Sequence, residues 1–236
     1  MAQTEAEKRF VAYHERLRAE LNAGYWHFRV YTAVEAAMDE YLREMNQASG
    51  FFQMTLLAHR RQSLMQLAKL LDNGAASVGV LQLLQHCEKN PGIFGPEEVW
   101  RRVKGRKHAN EIAEAHEGVD ENTVIGWVQE DRKKLWTLPT EKVATLRNKV
   151  LAHIDSKTVE HGGVPIPYPF QPEIKACFET LHVILNRYSW QFSSERWTME
   201  LQAGQFEREI ATLLGAVRFR RELKGQSRRR EVHRPA

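Results

Sequence analysis

The sequence predicts an all-α fold, an antiparallel helical bundle with additional peripheral helices and a basic C-terminal tail. Three observations carry that expectation. Apolar residues recur at helical spacing in almost every segment, with charges between them. No strand-like alternation and no repeat period stands out. The interruptions consist of glycine, asparagine and proline, the residues that end helices. With 42% apolar and 27% charged residues over 236 positions, the chain is an ordinary globular one, long enough to bury a sizeable core.

The first helix is expected over 5–21, with Phe10, Tyr13, Leu17 and Leu21 on one side. Gly24 reads as an interruption, and a second pattern follows from Tyr25 to about Asn46 through Trp26, Val30, Val34, Met38, Tyr41 and Met45. Ser49-Gly50 reads as a break before a third helix, Phe51 to Leu71, which Asp72-Asn73-Gly74 ends. Ser77 is placed to cap a short helix through Val80, Leu84 and Cys87, stopped at Asn90-Pro91-Gly92. Pro96-Glu97-Glu98 opens the next helix, with proline in the first turn and acids facing the helix dipole. A basic cluster follows it: Arg101, Arg102, Lys104, Arg106, Lys107 and His108. Such a cluster is either a solvated face or a surface for RNA.

After the turn at Gly118 and Asp120 come Val124, Trp127, Val128 and Leu135, and then a helix over about 140–154 with Thr140 as its N-cap. Val143, Leu146, Val150 and Ile154 give that helix a narrow apolar seam. Residues 156–172, with two glycines and four prolines, form a loop of the length that often serves function. Helix is expected again from Glu173, on a stripe of Ile174, Cys177, Phe178, Leu181, Ile184, Leu185 and Tyr188. A last helix spans roughly Gln205 to Leu223. Residues 1–217 are therefore expected to form a single domain, followed by a flexible tail at 218–236. The segment from Arg218 onward holds eight basic residues against Glu222 and Glu231. It thus carries +6 of a net +4, leaving −2 on the rest. A basic tail on a near-neutral body suits nucleic-acid contact through counterion release, and equally suits plain solvation.

Several function classes lack support. The N-terminus shows no apolar signal region, and no run of about 18 apolar residues suggests a membrane span. Cys87 and Cys177, the two cysteines, read as buried thiols, so the cytoplasm is the expected compartment. There is no Gly-rich phosphate loop and no HExxH motif, and the histidines show no ligand spacing. Neither a metal nor a cofactor is expected. The six tryptophans read mostly as core or interface anchors.

One stretch carries chemistry: Leu146-Arg147-Asn148-Lys149-Val150-Leu151-Ala152-His153-Ile154-Asp155. A permanently charged arginine and a histidine that titrates near neutrality, with two small polar partners, can handle a phosphate. On an ideal helix, six residues advance about 9 Å and leave His153 about 120° from Arg147, so the two do not share a face. Arg147 also lies close to the apolar seam, where a charge requires a partner; Asp72, Asp131 and Glu179 are the candidates. Either the helix ends near His153 and lets the imidazole swing, or two copies of the helix meet across a twofold axis. An ordinary polar helix face is the competing reading, since a histidine at a helix C-terminus is favourable through the dipole alone.

Arg147-Asn148-Lys149-Val150-Leu151-Ala152-His153 resembles the Arg-x(4–6)-His signature of the HEPN superfamily, with a polar residue directly after the arginine. The wider context through Ile154-Asp155 is similar to the abortive-infection (AbiU-like) branch. So are Gly50-Phe51-Phe52, Leu67-Ala68-Lys69-Leu70-Leu71-Asp72 and Val80-Leu81-Gln82-Leu83-Leu84. The resemblance covers roughly residues 25–190. It implies a bundle that dimerises so that two signatures face one cleft, and a metal-independent endoribonuclease of phage defence or of a toxin–antitoxin system. Such enzymes use the RNA 2′-hydroxyl as nucleophile and leave a 2′,3′-cyclic phosphate. RNA is then the substrate, a second copy of the chain completes the site, and an antitoxin protein is a further partner. The implied catalytic set is Arg147, Asn148, His153 and Asp155. His153 moves the proton, Arg147 stabilises transition-state charge, and Asn148 orients a phosphate or the histidine. Asp155 holds the imidazole tautomer or pairs with Arg147. The resemblance also allows a non-catalytic module that binds nucleic acid or a partner. Where a related branch carries a tyrosine two residues after the histidine, this chain has Asp155, which argues against control by tyrosine modification there.

Overall fold

The structure, a computed structural model, describes residues 3–74, 77–146, 170–199 and 204–232, with side chains through 143 in the second stretch and through 224 in the last. Every regular element among them is helical. In chain order they are α1 (Glu5–Met45), α2 (Ser49–Leu70), α3 (Val80–Lys89), α4 (Pro96–Val103), α5 (Ala109–Glu114), α6 (Glu121–Trp136), α7 (Thr140–Leu146), α8 (Gln171–Ser193) and α9 (Gln205–Val232). Short 3-10 turns lie at Asn46–Ala48 and Pro91–Phe94. The all-α fold expected from the sequence is the fold observed.

The first two predicted helices are one. α1 runs unbroken through Gly24, which does not interrupt the helix but lets it pack closely. A Cβ at this position would stand 2.8 Å from Gln66 Cβ and 2.9 Å from Phe178 Cε1. Glycine costs a helix interior up to about 1 kcal/mol relative to alanine, so the helix persists because its flanks are buried. The break expected at Ser49-Gly50 falls earlier: a 3-10 turn occupies Asn46–Ala48, and both Ser49 and Gly50 already belong to α2.

Ser77 caps nothing: its hydroxyl donates to the Gly74 carbonyl at 2.7 Å, within the turn. α3 instead starts after Gly79, whose N–H donates to Gln82 Oε1 at 3.0 Å. Any side chain at Gly79 would collide with the Asp72 carbonyl oxygen, which lies 2.1 Å from where a Cβ would sit.

The described residues group into two compact units. One comprises Met1–Tyr25 with Ser63–Met199, the other Trp26–Gln62 with Glu200–Ala236, so the divisions fall inside α1 and inside α2.

The first unit is built on α8. Its predicted stripe, Ile174, Cys177, Phe178, Leu181, Ile184, Leu185 and Tyr188, is buried throughout. Around it stands an aromatic cluster in which Phe10 meets Phe94 edge-on at 5.2 Å and Phe192 at 4.5 Å. Phe94 in turn meets Tyr188 at 5.8 Å. Each fully buried phenylalanine contributes about 1.5–3 kcal/mol of apolar transfer. Three buried histidines are tied to backbone carbonyls: His14 to Leu185 at 3.0 Å, His86 to Ala6 at 2.9 Å and His116 to Trp190 at 3.0 Å. Both cysteines are free and buried. Burial raises both thiols, Cys177 to about 12, which keeps them protonated and unreactive.

The second unit packs α1 from Trp26 onward, the first part of α2, and α9. Val34, Met45 and Leu214 form its core, with Val30, Tyr41, Phe52, Leu56 and Ile210 against them. α9 does not end near Leu223 but continues to Val232. Arginine and glutamate are good helix formers, and Arg218 and Arg221 are held by acids of α1 within this unit.

Candidate functional site

The signature is entered along α7, in the first unit. Pro139 precedes it, and Thr140 is its first helical residue rather than its cap; the Pro139 carbonyl accepts from the Val143 N–H at 3.1 Å. Leu138 and Val143 are buried and seat the helix. Lys142, one turn before the signature, pairs with Glu173 Oε1 at 2.7 Å. The other oxygen of Glu173 accepts from the Phe170 N–H at 2.8 Å, which closes the first turn of α8. These two hydrogen bonds hold the Glu173 carboxyl below its ordinary pKa, that from Lys142 first. α8 starts earlier than expected, at Gln171, and takes Pro172 into its first turn, where the missing N–H costs nothing. One carboxylate therefore joins the helix that leads into the signature to the helix that follows the Pro-rich stretch.

Arg147, Asn148, His153 and Asp155 lie outside the described residues, as do Val150, Ile154 and residues 156–169 of the expected loop. The three acids considered as partners for Arg147 can be placed. Asp131 is fully buried and bonded to Arg187 at 3.2 Å and Lys134 at 3.4 Å. Glu179 pairs with Lys175 along the exposed side of α8. Asp72 Oδ1 accepts from the Gly74 N–H at 3.1 Å, in the turn after α2.

Beside α7 in sequence, α6 and α8 share an ion network. Glu130 receives Lys134 at 2.7 Å and Arg187 at 3.1 Å, which lowers its carboxyl to about 2. Burial raises neighbouring Asp131 despite the same two cations. The network borders a cleft of about 550 Å³ lined by Trp127, Glu130, His182, Asn186, Arg187 and Trp190. Its polar groups are largely committed to structure. His182 Nε2 and Asn186 Nδ2 both reach the Trp197 carbonyl, at 2.8 and 2.7 Å, and Arg196 stacks 4.6 Å from the Trp190 ring centroid.

The basic cluster that begins in the last turn of α4 is also largely structural. Arg101 and Arg102 both bind Glu7, a buried carboxylate on the first turn of α1. Arg102 also donates to the carbonyls of Phe192 at 2.7 Å and Ile93 at 2.5 Å, and stacks 4.0 Å from the Phe192 ring. Arg106 donates to the Ser193 carbonyl at 2.8 Å, at the C-terminus of α8, where the dipole favours a cation. Lys104 and Lys107 remain exposed. Sequence reading could not find Glu7 as the partner, because it lies far away along the chain.

In the second unit, Arg218 donates to the Glu40 carbonyl at 2.7 Å and sits 4.4 Å from the Tyr41 ring, while Arg221 pairs with Glu44 at 2.8 Å. Arg220 and Lys224 are exposed. Among the described residues no helix is long and apolar enough to cross a membrane.

The family model described as AbiU2, of the HEPN group, matches residues 7–213, which takes in α1 to α8, the signature and the first part of α9. Comparison with curated proteins and with solved structures gives no match.

Proposed function

The chain belongs to the AbiU2 family of HEPN proteins, and from that premise we propose that it is a metal-independent endoribonuclease acting in abortive infection. The observation that carries this reading is the Arg147-Asn148-x4-His153 array, which lies within the matched region of a chain whose described elements are all helical.

The chemistry follows from the side chains. His153, with an ordinary pKa near 6.5, takes the proton from an RNA 2′-hydroxyl or returns one to the leaving 5′-oxygen. Attack of the 2′-oxygen on the adjacent phosphorus breaks the P–O5′ bond and leaves a 2′,3′-cyclic phosphate. Arg147 offers fixed donors to the non-bridging oxygens as charge builds on them. Asn148 orients the phosphate or the imidazole, and Asp155 fixes the imidazole tautomer or pairs with Arg147. Because Arg147 and His153 lie about 120° apart on an ideal helix, a second copy of the chain supplies the complementary half of the site. The Lys142–Glu173 bond supports this reading by fixing the direction in which the chain enters the signature.

The test is RNA cleavage by purified protein in EDTA, with Arg147→Ala and His153→Ala compared at unchanged helical circular dichroism. Each variant is expected to lose cutting; unaltered cutting in both overturns the proposal. A non-catalytic nucleic-acid-binding module is the second reading. It is favoured by the arginine-rich end of α9, in which Arg220 and Lys224 are exposed.

A further inference from the structure

Within the second unit, α1 and α2 bring two histidines together that lie far apart in sequence. His27 Nδ1 and His59 Nδ1 are 2.9 Å apart, with ring centroids 4.9 Å apart and planes tilted by 51°. Both residues are half-buried.

A neutral imidazole carries one N–H and one lone pair. Two Nδ1 atoms facing each other therefore either share one proton or direct both lone pairs at a third body. Metal–imidazole bonds are about 2.0–2.1 Å long, and two such bonds at a right angle separate their nitrogens by about 2.9 Å. A tetrahedral angle requires about 3.3 Å, a separation that a small rotation of either ring supplies. The observed spacing is that of an N–H···N hydrogen bond, and it is also within a small ring rotation of two neighbouring ligands on one ion. Desolvation lowers both imidazoles, which favours the neutral form that can ligate a cation.

We propose that His27 and His59 form a two-imidazole site for a borderline divalent transition cation, with Zn²⁺ as the representative ion. Imidazole nitrogen suits Zn²⁺, Ni²⁺ and Cu²⁺ and is a poor ligand for Mg²⁺ or Ca²⁺. Among the described residues no third histidine, cysteine or acid joins the pair, so water completes the coordination. The site ties α1 to α2 in the second unit and shares no residue with the Arg147–His153 array. Its occupancy is a clamp on that helix pair, separate from RNA cleavage.

The experiment is calorimetric titration of the full, untagged chain with ZnCl₂ at pH 7.5, with helical circular dichroism recorded for every variant. One saturable site is expected in the wild type. His27→Gln and His59→Gln should each weaken it by at least about tenfold, as losses within a coordination sphere do. His108→Gln, which removes an exposed histidine paired with Glu111 on the other unit, should leave it unchanged. A second readout uses the wild type alone: Zn²⁺ should shift the side-chain nitrogen resonances of His27 and His59 ahead of the other histidines. Absence of saturable binding overturns the proposal and leaves a hydrogen-bonded pair. An unchanged isotherm in the His27→Gln/His59→Gln double variant overturns it as well.

Discussion

Glu173 bonds Lys142 at 2.7 Å with one oxygen and the Phe170 N–H at 2.8 Å with the other. One side chain thus sets both the approach to the signature and the start of the helix that follows it. The Lys142 pair is partly exposed, so its contribution to global stability is small. Its expected effect is on function. Lys142→Met should leave the thermal midpoint nearly unchanged and lower RNA cleavage severalfold. Glu173→Ala, which also removes the α8 cap, should lower both. Full cleavage by Glu173→Ala would show that this link does not position the signature.

Gly24 gives a prediction opposite to helix propensity. Replacing a mid-helix glycine by alanine ordinarily stabilises a helix by up to about 1 kcal/mol. Here the new methyl meets Gln66 Cβ and Phe178 Cε1 below 3.0 Å, so one of them must shift. Overpacking of this kind costs about 1–3 kcal/mol. Gly24→Ala should therefore lower the urea midpoint, and an unchanged or raised midpoint would mean that α1 and α8 separate easily.

Glu7 links folding to acid. Burial raises its carboxyl, but the Thr4 amide and then Arg102 and Arg101 outweigh burial and hold it below the ordinary value of 4.5. A depressed carboxylate contributes stability above its unfolded pKa, and that contribution is lost as pH falls through the folded pKa. Glu7→Gln removes the charge that two guanidinium groups share, although Arg101 keeps Glu98 and Arg102 keeps two carbonyls, and should cost about 1–3 kcal/mol at pH 7. The gap between variant and wild type should narrow below about pH 4, where the wild-type carboxyl also protonates. Urea denaturation at pH 7 and pH 3 measures both.

On α9, neighbouring arginines should separate stability from binding. Arg218 is fixed to Glu40, Glu44 and Tyr41, whereas Arg220 is exposed. Arg218→Ala should lower the thermal midpoint with little change in RNA affinity. Arg220→Ala together with Lys224→Ala should leave the midpoint in place and reduce the salt dependence of RNA binding by about one to two in log–log slope. Equal RNA affinity and slope in that double variant would remove this face of α9 from the binding surface.

The helices were legible because their apolar stripes are periodic, as on α8, and because Asn73-Gly74 and Pro96 are strong local signals. What failed were readings that depended on distant partners. Gly24 reads as an interruption in one dimension and is a close-packing position in three. The basic cluster reads as a surface until Glu7 takes up two of its arginines. Arg147 and His153 were legible as a motif through residue type and spacing. No periodicity could reveal the Lys142–Glu173 link or the His27–His59 contact, since each depends on how helices distant in sequence are packed.

The central claim is that the 2′-hydroxyl of RNA is the nucleophile and His153 the proton carrier. The most direct measurement is the chemistry of the cut ends, on a defined single-stranded RNA incubated with the full chain in EDTA. The account predicts 2′,3′-cyclic phosphate and 5′-hydroxyl ends, no cleavage where the scissile nucleotide is 2′-deoxy, and no cleavage by His153→Ala. Cleavage that survives the 2′-deoxy substitution, or an intact wild-type substrate, would contradict it.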